Sequence, residues 1–371
     1  MVGIVAYGAY VPRLRLNRQA VYDANKWFAA GLRGLAKGER SMANWDEDSI
    51  TMAVEASRDC LTSHKPEDVR NIYFASTTHP FKDRQNAGVI GTALSIEQNL
   101  SASDVSGSLK AGTSALMAGL NASRDGAPSL VAAADKRLAR VASANELNYG
   151  DGAAALLCGT ENVIAKLIGH HSVSMDFVDH FRGDETDFDY GWEERWIRDE
   201  GYSKIVPPAI KSGLAAAKLK GGDITHFIMP SPMPAVPKQM AKACGVADGA
   251  VRDLLGANLG DTGCAHALVM LVDALETAKA GDKIMVVAFG QGVDVLVFEV
   301  TAENAKLPKR RGVSGWLARR KEEKNYMKFL AFNEMLPIDK GMRAEFDKKT
   351  ALSDRKSTRL NSSHRCISYA V

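Results

Sequence analysis

A pattern of strand, polar loop, helix and strand occurs twice along this chain, and it limits the possible folds more than any other feature. The first copy begins at Asp68 and runs through "DVRNIYFASTTHP", "LKAGTSALMAGLNASRDG" and "APSLVAAAD". The second begins at Asp223 and runs through "DITHFIMPSPMP", "LGDTGCAHALVMLVDALETAKAGD" and "KIMVVAFGQG". The repetition predicts an internally duplicated α/β protein with helices between or outside sheets.

The chain is long enough to bury a substantial core. It has 371 residues, of which 46% are hydrophobic, and this fits one large α/β body or two domains. A helix is predicted from Asp48 to Leu61, because an acidic start precedes apolar residues on a helical period. We expect this helix to pack on a sheet.

The cysteines and the N-terminus predict a soluble, cytoplasmic protein. The five cysteines have neither disulfide nor metal-site spacing, so no metal site is predicted. The opening "MVGIVAYGAYVP" lacks a basic lead and a long apolar run. It therefore predicts a first strand rather than a signal peptide or a membrane span.

The net charge of +3 comes from the end of the chain. Residues 354–371 contain four basic residues and one acidic residue, so the remainder is close to neutral and no nucleic-acid partner is predicted. This stretch, "DRKSTRLNSSHRCISYAV", has no helical or strand period and resembles a translated sequencing adapter. We expect it to be a non-native tail.

Two other segments depart from the duplicated pattern. Residues 175–202 are dense in charged and aromatic side chains without a clear period, which predicts an insertion covering one face. Residues 302–353 are basic and poorly periodic. We interpret them as a linker to a domain that this sequence lacks.

Motifs along most of residues 1–301 resemble those of the thiolase superfamily, and within it the archaeal-type hydroxymethylglutaryl-CoA synthases. They are "VGIVAYGAYVPRLRL", "DEDSITMAVEASRD", "STTHP", "LKAGTSAL", "ELNYGDGAAALLCG", "NLGDTG" and "KIMVVAFGQG". The resemblance implies a five-layered αβαβα fold made of two thiolase-like halves, residues 1–165 and 166–301. It also implies a homodimer with the active site between the halves.

The catalytic residues that the resemblance implies are replaced in this chain. Leu109 stands where the family has a nucleophilic Cys at the head of a helix, a place that lowers a thiol pKa. Thr77 stands at the position of a Glu, Met229 at that of a His and Asp261 at that of an Asn. Condensation through the usual acyl-cysteine is therefore not expected.

Three other side chains are candidates for catalysis. Asp261 is a candidate base, since enclosed carboxylates can be tuned for proton transfer, but its position also fits a cap of the following helix well. His79 is a second candidate base or a turn residue bonded to the backbone. Cys264 is an alternative nucleophile at a helix start, or a small buried cysteine.

The sequence also contains candidate substrate-binding residues. Gly290 and Gly292 flank a turn whose amides could hold a thioester oxyanion, as a glycine amide of this loop does in the family, or they form a plain turn. Asn258 could orient a substrate or close a turn. Lys110 could meet an anionic cofactor or lie on the surface. Leu109 is expected to pack against an acyl chain or the core.

These observations leave three functional hypotheses. The first is an enzyme forming or cleaving carbon–carbon bonds in a coenzyme A thioester, by acyl transfer or an aldol or retro-aldol step without an acyl-cysteine. The second is a non-catalytic acyl-CoA-binding or scaffold subunit, and the third is a true synthase using Cys264. Coenzyme A thioester is expected as substrate, without a permanently bound cofactor. The resemblance also implies a zinc-ribbon/OB-fold domain or subunit as partner.

Overall fold

The computed structural model describes residues 1–96 and 99–339. Its strands are β1 (Gly3–Tyr10), β2 (Leu14–Asn17), β3 (Glu39–Met42), β4 (Asn71–Ala75), β5 (Ser101–Val105), β6 (Ser129–Asp135), β7 (Gly152–Gly159), β8 (Ala165–Ser174), β9 (His180–Phe181), β10 (Tyr190–Gly191), β11 (His226–Ile228), β12 (Lys283–Phe289), β13 (Gly292–Val300) and β14 (Lys321–Glu323).

Helices alternate with these strands along the same residues. They are α1 (Arg18–Asn25), α2 (Ser49–Cys60), α3 (Asn86–Ala93), α4 (Ala111–Ala122), α5 (Ala144–Asn148), α6 (Glu194–Trp196), α7 (Ser203–Ala217), α8 (Val236–Ala243), α9 (His266–Leu275), α10 (Gly312–Ala318) and α11 (Tyr326–Phe332). A π-helical turn, Ile197–Tyr202, joins α6 to α7. No helix within the described ranges is long and apolar enough to span a bilayer.

The duplication predicted from the sequence is visible in the main sheet. Its nine strands have the order β5-β4-β6-β7-β1-β8-β13-β12-β11. From β1 outward the pairings are antiparallel, antiparallel and then parallel, and from β8 outward the same series recurs. The two halves join where Gly3 and Ile4 pair with Lys166 and Ala165.

The apolar side chains form layers on either side of these strands. Alternate residues of β12 enter two different cores, because successive side chains of a strand point to opposite faces. Ile284, Val286 and Ala288 belong to the core that contains α4 and α9, whereas Met285, Val287 and Phe289 belong to the core beneath α7 and α8. Helices α2 and α3 cover the strands of the first half. The thiolase-like five-layered αβαβα architecture is therefore confirmed.

Helix α2 shows why its boundaries were readable from the sequence. The Asp48 carboxylate accepts the Thr51 amide at 2.8 Å, and the Thr51 hydroxyl accepts the Asp48 amide at 2.8 Å. Such a reciprocal pair satisfies amide donors that the first helical turn leaves free. The helix predicted over residues 48–61 is confirmed.

The segment interpreted as a linker is folded as far as the structure describes it. The Trp316 indole of α10 donates to the Ala9 carbonyl at 2.7 Å, and β14 pairs with β2. In α11, Tyr326 and Phe329 enter a third core with Leu16. Residues 302–339 are thus packed on the body, which their basic composition did not indicate, and the interpretation of residues 302–353 as a linker to another domain stays a prediction. The remainder of that segment and the expected tail lie outside the described residues.

Candidate functional site

The centre of the site is the carboxylate of Asp135, the last residue of β6. It is fully buried, and its Oδ2 accepts the Cys264 amide at 2.8 Å while its Oδ1 accepts the Thr77 amide at 2.7 Å. The hydroxyls of Ser76, Thr77 and Thr78 donate to the same carboxylate at 3.0 to 3.1 Å. One carboxylate thus holds the "STTH" loop of the first half against the loop before α9.

Glycine is required where these loops meet. Gly263 has a φ of +63°, and a Cβ there would lie 2.3 Å from Asp135 Oδ2. A Cβ on Gly112 in α4 would lie 2.3 Å from the Cys264 carbonyl oxygen. Side chains at either position would push the halves of the site apart.

Leu109 lies two residues before α4, at the position where the family resemblance implies a nucleophile. It is partly buried and lines a cavity of about 320 Å³ together with Thr77 and Gly290. The Ser108 hydroxyl donates to the Gly290 carbonyl at 2.9 Å, which fixes the α4 loop against the turn after β12. The structure therefore brings Leu109, Thr77 and Gly290 together around one small cavity.

The glycine turn after β12 has a different hydrogen-bond pattern from the one expected. The Gly290 amide donates to the Gly292 carbonyl at 3.0 Å, so this donor is already used within the turn. Gly292 has a φ of +114° and pairs with Ser174, and a Cβ on it would lie 2.0 Å from the Val173 carbonyl oxygen. Its glycine is explained by close strand packing. An oxyanion role for Gly290 would require its amide to leave this bond.

Lys110 is largely buried beside a carboxylate of the second half. Its side chain is 15% exposed, and its Nζ lies 3.2 Å from Oδ1 of Asp294, a buried residue of β13. The hydroxyls of Thr113 and Ser114 donate to the other oxygen of Asp294, each at 2.9 Å. The duplicated fold places an acid of the second half beside the start of α4, so Lys110 already has a protein partner, and its contact with an anionic cofactor stays a prediction.

The environment of Cys264 disfavours a nucleophilic thiol. It is fully buried, and burial, followed by the nearby Asp135 carboxylate, raises the pKa of its thiol well above the ordinary range. The thiolate is the reactive form of cysteine, so this environment suppresses reactivity. These observations favour the alternative of a small buried core cysteine, and a catalytic role for Cys264 stays a prediction.

Asp261 and Asn258 line a second, larger cavity. Its volume is about 770 Å³, and the basic residues in its wall are Arg18, Lys37, Lys238 and Arg252. Asp261 Oδ1 accepts the Gly263 amide at 2.9 Å, which supports the capping alternative for this residue. Asn258 is exposed, and its backbone N–H donates to the Leu255 carbonyl at 3.2 Å.

Arg137 connects the linings of the two cavities. The guanidinium is buried and bonds Asp189 Oδ2 through Nε at 3.1 Å and through a terminal nitrogen at 2.7 Å. Its other terminal nitrogen lies 3.5 Å from Asp261 Oδ2. Asp189 lines the smaller cavity and Asp261 the larger one. A buried ion-pair chain therefore lies between the two spaces.

Asp189 comes from the charged insertion and has a second cationic partner. Arg182 donates to Asp189 Oδ1 at 2.6 Å and also to the Thr77 carbonyl, and the Tyr149 hydroxyl donates to Asp189 Oδ2 at 2.8 Å. Burial alone would raise the pKa of Asp189, but Arg137 and Arg182 outweigh burial and hold it below its ordinary value. The insertion thus places an ionised carboxylate at the smaller cavity.

His79 and Met229 lie apart from both cavities. His79 is half-buried, and burial lowers the pKa of its imidazole; its Nε2 is buried without a hydrogen-bond partner in the described part of the chain. It lines neither the smaller nor the larger cavity. Met229 is buried in the core beneath α7 and α8. The role of His79 as a candidate base stays a prediction, without support from the lining of these two spaces.

Several polar residues of the site were missed by sequence reasoning. One of them carried a local signal, because Asp135 ends the otherwise apolar strand "LVAAAD". Arg137 follows it by two residues. Asp189 and Arg182 lie in the charged insertion, where nothing separates them from their exposed neighbours. In the described residues, no group of three or more His, Cys, Asp or Glu side chains is arranged to hold a metal ion.

Comparison with known proteins agrees with this fold. Residues 214–298 match the family model for the C-terminal part of 3-oxoacyl-[acyl-carrier-protein] synthase III. The hydroxymethylglutaryl-CoA synthase of Methanosarcina barkeri is 30% identical over 313 residues, covering 81% of this chain and 88% of that protein. The synthase of Pyrococcus horikoshii is 29% identical over 331 residues, covering 86% and 93%.

A solved structure shows the same architecture. The crystal structure of an HMG-CoA synthase complexed with CoA superposes with a TM-score of 0.76 at 17% identity, covering 89% of each chain. At 17% identity this match supports the fold alone. The 30% identity to the Methanosarcina barkeri synthase shows the family. The chain belongs to the hydroxymethylglutaryl-CoA synthase family.

Proposed function

We propose that this protein acts on acyl-CoA thioesters in carbon–carbon bond formation or cleavage without forming an acyl-cysteine. The observation that carries the proposal is Leu109, a hydrocarbon at the head of α4, in the cavity where the family resemblance places the nucleophile. The full burial of Cys264 and its raised pKa disfavour it as a substitute for that nucleophile. Membership of the synthase family supports the thioester as substrate.

The larger cavity is the proposed entrance for coenzyme A. Lys37 and Lys238 are exposed in its lining, and Arg18 and Arg252 also contribute to its wall. Phosphate groups of coenzyme A are anionic and favour such basic surroundings. A homologous fold has been solved in complex with CoA. We propose that the pantetheine arm runs from this basic rim past Asp261.

An aldol or retro-aldol step fits a site without a nucleophilic thiol. In the cleavage direction a base takes the proton of the 3-hydroxyl group, a carbonyl forms at C3 and the C2–C3 bond breaks. Its electron pair passes to the thioester as an enolate, which is then protonated at C2. Asp261 is the proposed base, since it lines the larger cavity. His79 has no proposed role in this step.

A non-catalytic acyl-CoA-binding subunit is the second candidate. It is favoured by groups that already have partners: the Gly290 amide bonds to Gly292, and Asp261 bonds to the Gly263 amide and lies beside Arg137. A site fixed in this way could hold a thioester without moving a proton. A synthase acting through Cys264 is disfavoured by the burial of that thiol.

Further proposals concern assembly and location. A homodimer is supported by β5, the outermost strand of the main sheet, whose Ser101, Ser103 and Asp104 are exposed. A zinc-ribbon/OB-fold domain or subunit that completes the coenzyme A site, and a place in the cytoplasm, rest on the sequence considerations alone.

The full chain can be tested with 3-hydroxy-3-methylglutaryl-CoA as probe. The proposal expects cleavage products with no covalent adduct in intact-mass spectra, and a loss of turnover of about 100-fold or more in Asp261→Asn. Asp253→Asn, which changes another carboxylate of the same cavity, is the control and should retain activity. Binding without turnover supports the non-catalytic candidate, whereas an acyl adduct on Cys264 supports the synthase.

A further inference from the structure

The carboxylate of Asp189 is bound as a ligand would be. Two nitrogens of Arg137 donate to Oδ2, at 2.7 and 3.1 Å, and the Tyr149 hydroxyl donates to the same oxygen at 2.8 Å. Arg182 donates to Oδ1 at 2.6 Å. Two guanidinium groups and a phenol thus satisfy both oxygens from different directions. Charge-assisted hydrogen bonds from guanidinium groups to carboxylates are short and strong.

The residues that bind Asp189 belong to separate parts of the chain. Arg137 and Tyr149 lie on either side of α5 in the first half, with side chains that are buried, and the Arg137 guanidinium stacks 3.8 Å above the Tyr149 ring. Asp189 and Arg182 belong to the insertion. We define the receptor as Arg137, Tyr149 and Arg182, and the ribbon as the other residues of the segment 179–192, which contains β9 and β10.

We propose that the receptor is a binding site for a small carboxylate ligand, and that in this structure the chain's own Asp189 occupies it. The inference rests on the geometry of the receptor and does not depend on the reaction proposed above. The smaller cavity, about 320 Å³, adjoins Asp189 and Arg182 and provides space for a compact ligand. Leu109 and Thr77 also line this cavity.

The ribbon is joined to the body by the ion pairs of Asp189 and Asp184, by the Arg182 bond to the Thr77 carbonyl and by a bridge between Phe188 and Leu138. Exchange of Asp189 for a ligand requires only the first of these contacts to open. Its two strands pair over two residues each, Tyr190 with Phe181 and Gly191 with His180. Phe181, Tyr190 and Trp192 are each about half exposed. Segments with little buried apolar surface open at low free-energy cost.

Charge balance makes the exchange specific for an anion. Displacement of Asp189 alone would remove the carboxylate that Arg137 and Arg182 share. Arg137 would keep only Asp261, at 3.5 Å, and Arg182 would lose its carboxylate partner. Unpaired charges in a buried site are costly. A ligand carboxylate entering as Asp189 leaves restores both ion pairs, whereas a neutral ligand does not.

The first experiment removes the internal competitor from the full-length protein. Malonate binding is measured by calorimetry against sodium chloride of equal ionic strength, for the wild type and Asp189→Ala. We expect Asp189→Ala to bind malonate at least tenfold more tightly, and Arg182→Gln in that background to lose the gain. Asp184→Ala is the control, since Asp184 is an exposed ribbon acid paired with Lys82, and it should bind as the wild type does. Equal affinity in Asp189→Ala and the wild type would overturn the proposal.

A second measurement keeps the test informative if Asp189→Ala does not fold. Asp189→Asn removes the competing charge with little change of shape and should show the same direction of change. In the wild type, saturating malonate should speed backbone amide exchange in the ribbon, including the Trp192 amide that donates to the Asp179 carbonyl at 2.9 Å. Unchanged ribbon exchange at saturation would show that Asp189 is a fixed structural partner.

Discussion

The Cys264 amide donates a 2.8 Å hydrogen bond to the Asp135 carboxylate, so a loop of the second half is fixed to the last residue of a first-half strand. The same carboxylate accepts the amide and hydroxyl of Thr77. This junction holds the α9 loop beside the "STTH" loop and keeps the Cys264 thiol in the core. The alignment of the two halves at the site therefore depends on one buried carboxylate.

Asp135→Asn should destabilise the protein by about 3 kcal/mol, because an asparagine NH₂ would face donors that now share an acceptor. The free energy of unfolding from urea titrations measures this loss. Asp23→Asn is the control, since Asp23 makes an exposed ion pair with Lys26, and it should leave the urea midpoint unchanged. An Asp135→Asn protein as stable as the wild type would contradict the role given to this carboxylate.

The fold was largely predictable because its signals are local. The duplicated pattern, the start of α2 at Asp48 and the buried strands all follow from short-range periodicity and capping. The packing of residues 302–339 was not predictable, because its partners are distant in the sequence. Trp316 donates to the Ala9 carbonyl, and Phe329 packs against Arg40. Sequence composition alone does not reveal such long-range packing.

The site was less predictable, and Lys110 shows the reason. Its partner Asp294 lies far along the chain, in the other half of the duplicated fold. The same holds for Arg137, whose carboxylate partner Asp189 comes from an insertion without a periodic pattern. The sequence indicated which loops meet, but it could not show which donors and acceptors those loops already pair with each other.

The Lys110 and Asp294 pair should contribute measurably to stability, because Asp294 is buried. Lys110→Met is expected to cost about 2 kcal/mol, since the carboxylate would keep only the Thr113 and Ser114 hydroxyls. A double-mutant cycle with Asp294→Asn, followed by urea unfolding, isolates the pair. Lys82→Met removes an exposed ion pair and serves as the control. Additive losses in the cycle would show that the two residues do not interact.

Cysteine labelling should distinguish the buried thiols from the accessible one. Burial raises the pKa of Cys60 to about 12 and that of Cys264 well above its ordinary range, whereas Cys244 is partly exposed. In Cys366→Ser, which removes the cysteine outside the described residues, we expect Ellman's reagent to label Cys244 first. The additional change Cys244→Ser should abolish rapid labelling. Fast alkylation of Cys264 in the native protein would contradict the structure and revive the synthase hypothesis.

Leu109→Cys should create a reactive thiol at the position that the family resemblance assigns to a nucleophile. The first amides of α4 stabilise a thiolate there, so iodoacetamide should react at least tenfold faster than with Cys244. We also expect an acetyl adduct in intact-mass spectra after incubation with acetyl-CoA, and none in the wild type. Ser106→Cys, in the same loop but exposed and before the helix start, is the control. Equal rates for the two variants would show that the start of α4 does not activate a thiol.

Glu47 should make stability depend on pH in a direction opposite to that of most paired carboxylates. Burial raises the pKa of Glu47, although the Asn44 amide and the Tyr10 hydroxyl, which donate to its carboxylate, counteract part of this effect. A raised folded pKa means that this contribution is fully present below the unfolded value of about 4.3 and is lost as pH rises through the folded value.

Glu47→Gln should therefore gain stability relative to the wild type as pH rises from about 4 toward 7, as measured by urea unfolding at each pH. Glu323→Gln should change stability with pH in the opposite direction, because Lys328 and the Asn325 amide lower the pKa of Glu323. The contribution of Glu323 to wild-type stability is present above its unfolded-state pKa and is lost as pH falls through its folded-state pKa. Parallel pH profiles for the two variants would contradict the raised pKa of Glu47.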